Sequence, residues 1–168
     1  MSNETKFLIG ASVFTLLVIV GLAIFISSKE KNISQIPTNA VLGIESTPAS
    51  YDFGDVPING GIVTKEYEVK NTSDGDMELL KITTSCMCTT ASLRVGDKET
   101  KFLGMEMVGD KNPLLDLKLK KGETGKVTVK YDPAAHGPTG TGPFDRIIWL
   151  YFDEGVKELT LNGTVVSK

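Results

Sequence analysis

"GIVTKEYEVKN", residues 61–71, sets Val63, Tyr67 and Val69 on one side of an extended chain and Thr64, Glu66, Glu68 and Lys70 on the other. A period of two residues is the signature of a strand with one face buried and one in water. The same period returns along the chain. "MELLKITT" (77–84) offers Leu80 and Ile82, "LLDLKLKKGE" (114–123) offers Leu115, Leu117 and Leu119, and "GKVTVKYD" (125–132) offers Val127, Val129 and Tyr131. "RIIWLYFDEG" (146–155) is apolar on both faces, as a central strand would be, and "VKELTLNGTVV" (156–166) closes the chain. Helical periodicity is almost absent from this part of the sequence.

Turn residues separate the runs: "NGG" at 59–61, "DGD" at 74–76, Gly122, "DEG" at 153–155 and "NG" at 162–163. About seven short antiparallel strands at this spacing predict an all-β fold, an immunoglobulin-like Greek-key β-sandwich. Two stretches break the pattern. Residues 94–113, "RVGDKETKFLGMEMVGDKNP", form a long excursion, and residues 132–144, "DPAAHGPTGTGPF", are dense in Gly and Pro. Long loops on a rigid sandwich are where function tends to sit.

The N-terminus is of a different kind. "FLIGASVFTLLVIVGLAIFI", residues 7–26, is uncharged throughout. At about 1.5 Å per residue it would span roughly 30 Å, the thickness of a bilayer's hydrocarbon core. It is longer than a signal peptide's apolar region, and no small-x-small cleavage site or lipidation cysteine follows it. The expected organisation is a short tail (1–6), a transmembrane signal-anchor (7–26), a linker (27–41) and a β-sandwich domain (42–168). The expected localisation is the cell membrane, single-pass, with the domain on the extracytoplasmic side.

The chain has a formal net charge of −3; residues 1–31 carry three Lys and two Glu, so the remainder is at −4. Mild acidity without a basic patch argues against nucleic acid as a partner. A nucleophile elbow, a Walker loop and a two-His metalloprotease helix are all missing from the sequence. A non-enzymatic protein, with the membrane and a protein of the cell envelope as its partners, is the expectation.

"YDFGDVPINGGIVTKEYEVKNTSDGDMELLKITTSCMCTT" (51–90), "KGETGKVTVKYDP" (121–133), "GPFDRIIWLYFD" (142–153) and "LTLNGTVV" (159–166) are similar to the bacterial family DUF1573, whose most specific mark here is "SCMCT". The resemblance implies an exported or surface-anchored β-sandwich, related in architecture to the Ig-like modules of abnormal-spindle and Hydin proteins. It implies no biochemical function. Met87 stands where many members have Gly, and "GMEM" and "DPAAHGP" read as elaborations of the pattern.

Both cysteines of the chain, Cys86 and Cys88, lie in that signature. In a regular strand, residues i and i+2 face the same way with Cα atoms about 6.6 Å apart, long for a disulfide. Same-face thiolates can instead converge on one soft ion. The flanking "TTS" and "TT" suggest that regular pairing ends near Thr84 and that the thiols reach the end of the sandwich. Met105 and Met107 repeat the i, i+2 spacing in one irregular stretch, and His136, the single histidine, lies in the other. Thiolate, thioether and imidazole together suit Cu(I); zinc more often uses Cys and His without Met. A bland reading stands beside each: buried Cys as a small hydrophobe, Met as core filler, His as a surface residue. The combination favours a metal site of Cys86, Cys88, His136, Met105 and Met107. A non-catalytic envelope-scaffold module is the second reading, and a thiol–disulfide redox pair the third.

Overall fold

The computed structural model describes residues 13–21 and 36–167. They divide into two compact units between Gln35 and Ile36. The first contributes a helix, α1, over 13–21, whose side chains are exposed. No helix among the described residues is long and apolar enough to cross a membrane. The remainder of the expected 7–26 anchor lies outside the described residues.

The second unit is a two-sheet β-sandwich of ten strands: β1 (Ile44–Thr47), β2 (Ser50–Pro57), β3 (Val63–Asn71), β4 (Met77–Thr84), β5 (Thr89–Val95), β6 (Lys98–Glu99), β7 (Leu117–Leu119), β8 (Thr124–Tyr131), β9 (Gly142–Phe152) and β10 (Gly155–Val166). One sheet has the order β1-β3-β8-β5-β6 and the other β2-β10-β9-β4-β7. The expected count of about seven is exceeded because β1, β6 and β7 are edge strands of four, two and three residues. Such stubs are too short to show a period, and short edges limit unwanted strand pairing. The pairing is not wholly antiparallel either, since β2 runs parallel to β10.

The predicted inward faces of β3 and β8 meet the central strand β9 across the sandwich. Tyr67, Val69, Val127 and Val129 on one sheet and Ile148, Leu150 and Phe152 on the other are all fully buried. Tyr67 keeps its polar end satisfied by donating from its hydroxyl to the Thr160 carbonyl of the opposite sheet at 2.8 Å. Burial, with Tyr51 adding to it, pushes its phenol well above the ordinary range. Asn71 is buried as well. Its amide donates to the Leu119 and Gly75 carbonyls, and its oxygen accepts from Ser73, so no polar atom of the side chain is stranded.

Two sequence expectations fail for identifiable reasons. In β4, Leu79 pairs with Phe152 and Lys81 with Tyr151, so Leu80 is an extra residue. This bulge reverses the parity: Met77 and Leu79 point inward before it and Ile82 after it, while Leu80 is only half-buried. The "NG" at 162–163 is not a turn but lies within β10, where the register against β2 shifts between Asn162 and Thr164. A Cβ at Gly163 would stand 2.8 Å from both the Gly54 carbonyl oxygen and Phe144 Cζ, so only glycine lets these backbones approach.

At one end of the sandwich, two crossings between the sheets come together. β4 hands over to β5 through residues 85–88, and β8 to β9 through residues 132–141. These connections carry the two cysteines and the histidine.

A candidate Cys86–Cys88–His136 site

Regular pairing of β4 ends at Thr84 opposite Ile148, as the flanking threonines suggest. The chain then turns. Ser85 donates its amide to the Ile147 carbonyl, and its hydroxyl accepts from the Ile147 amide. The Thr84 hydroxyl lies 2.9 Å from the carbonyl oxygens of both Cys86 and Thr89 and donates to them. The Thr89 amide closes the turn on the Cys86 carbonyl. This geometry corrects the expectation of unbonded thiols. Out of the extended conformation, the two Cα atoms are 5.3 Å apart and Cys86 and Cys88 are joined in a disulfide, a separation within the normal range for the bond.

His136 is brought over the turn by its own loop. The Asp132 amide donates to the Cys88 carbonyl, which fixes the start of the loop to the cysteine turn. The Asp132 carboxylate accepts from the Ala134 amide, and the Gly137 and Gly140 amides close two successive tight turns. His136 Nε2 consequently lies 3.3 Å from Cys86 Sγ. One donor atom from each of Cys86, Cys88 and His136 falls within 4.8 Å of the other two. His136 is exposed, Cys86 partly buried, and Cys88 only 3% exposed.

Met105 and Met107 are half-exposed on a separate segment. That segment is fastened along β4: Thr83 donates to the Gly104 carbonyl, Asn112 to the carbonyls of Ile82 and Gly104, and Lys81 pairs with Glu106 at 2.6 Å. Met107 forms an isolated bridge with Asp110. Gly104 passes close to the start of β5, since a Cβ there would sit 3.3 Å from the Thr89 carbonyl oxygen and Thr90 Cγ2. Three of the five predicted residues converge, and Met105 and Met107 lie on a segment tied to β4 and, through the paired Leu103 and Ala91 backbones, to β5. Met87, between the cysteines, points outward at 60% exposure.

One member of the site escaped the sequence reading. Arg146 Nε donates to Cys88 Sγ at 3.1 Å. Phe144, Arg146, Ile148, Leu150 and Phe152 share the core-facing parity of β9, so a guanidinium in that row needs a partner inside. That parity was the available signal. Below Arg146, the Phe144 ring stacks on Tyr131 at 4.1 Å between centroids and forms an apolar floor. Burial raises the Tyr131 phenol, the Arg146 charge works against that, and Asp132 adds to the rise. Cys88 thus lies in a buried, cationic corner, and Cys86 is the less buried of the pair.

No curated protein matches the chain. Among solved structures, a protein of unknown function from Porphyromonas gingivalis W83 is 16% identical over 77% of this chain, with a TM-score of 0.52. The chain spans just under half of that protein, 48%. The ASH/PapD-like domain of human CEP192 is 11% identical, with 75% of this chain and 87% of that domain covered and a TM-score of 0.42. A family 123 glycoside hydrolase from Clostridium perfringens is 8% identical, with 70% of this chain and 23% of that enzyme covered and a TM-score of 0.48. Likeness at such identities concerns the fold alone. Residues 44–100, which run from β1 through β6 and include both cysteines, match the family model described as "Protein of unknown function (DUF1573)". That match supports the resemblance read in "SCMCT".

Proposed function

We propose that this protein is a membrane-anchored, extracytoplasmic immunoglobulin-like domain that binds a soft metal ion, Cu(I), through Cys86, Cys88 and His136. Its work would be capture, delivery or sensing of the ion, without turnover. The observation that carries the proposal is the convergence of two sulfurs and one imidazole within 4.8 Å, from connections about fifty residues apart in sequence. Two thiolates and an imidazole form a low-coordinate soft donor set of the kind Cu(I) takes. Their complex with a monovalent ion would keep one net negative charge, and the Arg146 guanidinium is placed to balance it through Cys88 Sγ. Outer hydrogen bonds of this sort orient ligands and tune affinity. Met105 or Met107 would complete or gate the site. The length of the 7–26 apolar run supports the anchor.

The thiols must be reduced before they can ligate. The test is competition of the reduced full-length chain against a chromogenic Cu(I) chelator. The wild type should withdraw the ion from the chelator and a Cys86→Ser, Cys88→Ser double variant should not. Equal competition by the two proteins would remove the site, and no competition by either would favour a metal-free scaffold module.

A further inference from the structure

We propose that the Cys86–Cys88 bond is a two-electron gate on this site, opened by a dithiol that attacks Cys86 Sγ and expels Cys88 as a thiolate held by Arg146. What the open gate admits rests on the Cu(I) reading above; the direction of its opening rests on the surroundings of the two sulfurs alone.

Those surroundings are unequal. Thiol–disulfide exchange needs an accessible sulfur to attack and a stabilised sulfur to leave. Cys88 is 3% exposed, so an incoming thiol has little room there. Arg146 Nε already donates to its sulfur at 3.1 Å, and Thr89 Oγ1 stands 3.6 Å away. Cys86 is partly buried at the rim, beneath an exposed histidine. Its sulfur faces the Cys88 amide and His136 Nε2, both at 3.3 Å, longer contacts than the one from the permanently charged Arg146 to Cys88. A charge-assisted hydrogen bond is roughly twice as strong as a neutral one, and the guanidinium keeps its charge at every relevant pH. Developing negative charge is therefore better accommodated on Cys88, and attack is easier on Cys86.

The exchange balances as follows. One thiolate of the dithiol forms a bond to Cys86 Sγ while the Cys86–Cys88 bond breaks, and its electron pair departs on Cys88 Sγ. The second thiol of the dithiol, having lost its proton to water, attacks its own partner sulfur in the mixed disulfide and releases Cys86 as a thiolate. The dithiol is oxidised to a disulfide, the cysteine pair gains two electrons, and both cysteines are then available as donors beside His136. In the bonded form neither thiolate exists, and the gate is shut.

The test uses the full-length chain, oxidised, with N-acetylcysteine as a monothiol probe, acid quenching and peptide mapping by mass spectrometry. The mixed disulfide should lie on Cys86 in about tenfold excess over Cys88; an even split, or an excess on Cys88, overturns the proposal. In parallel, the rate of reduction by dithiothreitol should fall roughly tenfold in Arg146→Met and be largely restored in Arg146→Lys; equal rates in all three proteins overturn the role of Arg146. Cu(I) competition on oxidised and reduced protein separates the two claims. Binding by the reduced form alone supports the gate, and equal binding by both forms overturns it while the metal site stands. Binding by neither removes the metal reading, and the mapping still decides the direction of attack.

Discussion

Arg146 donates from Nε to Cys88 Sγ at 3.1 Å, from a position in the inward-facing row of β9. A cation in that row, next to Phe144 and Ile148, would be costly without a partner. The turn after β4 supplies one from the opposite crossing. The contact makes one half of a cysteine pair electrostatically different from the other, and several measurable consequences rest on it.

Replacement of Arg146 by Met should lower Cu(I) affinity of the reduced protein about 10- to 100-fold, the range typical for loss of an outer-shell partner. Arg146→Lys should recover part of the loss, because the charge is kept while the directed Nε–H bond is not. Chelator competition on the three reduced proteins measures this, and identical affinities would detach Arg146 from the site.

His136→Ala should separate binding from stability. The ring is exposed, so its removal should change unfolding free energy by no more than about 0.5 kcal/mol. Cu(I) affinity should drop while thermal unfolding stays close to that of the wild type. A large loss of stability with affinity intact would make His136 a structural strut over the turn.

How far the sequence could be read depends on where the chain keeps its period. Val127 and Val129 in β8 are fully buried as their alternation predicts, and β9, apolar on both faces in the sequence, is a central strand as expected, because these strands run unbroken in the middle of their sheets. Leu80 is misplaced because a bulge inserts one residue without any local sign of it. "NG" at 162–163 has the composition of a turn, but Gly163 is needed for a close approach of β10 to Gly54 and Phe144. For the site, the residue types named Cys86, Cys88 and His136, and their meeting depends on two crossings between sheets that no local pattern encodes. Arg146 was detectable by parity alone, and Met105 and Met107 were grouped with the thiols by the chemistry of their sulfur, which carries no information on position.

Glu106 makes the segment carrying the methionines sensitive to acid. Burial works against its ionisation, but hydrogen bonds from Lys81 and the Asn112 amide and the charges of Lys81 and Lys111 outweigh it, and its carboxyl is held below the usual range. The unfolded chain then binds the proton more readily than the folded one. The contribution to stability is full above the unfolded pKa and disappears as pH falls through the lower folded value. Glu106→Gln should cost about 1–2 kcal/mol at neutral pH and should flatten this acid limb in denaturant unfolding followed against pH. An unchanged limb would show that the ion pair does not hold the segment.

Gly163→Ala tests the meeting of β10 with the strands beside it. The added methyl would stand 2.8 Å from the Gly54 carbonyl oxygen and from Phe144 Cζ. Phe144 cannot simply swing away, because it is buried and stacked on Tyr131. Overpacking of this kind typically costs about 1–3 kcal/mol. A lower denaturation midpoint is therefore expected in denaturant unfolding of the variant. An unchanged midpoint would show that β10 and its neighbours absorb the methyl without cost.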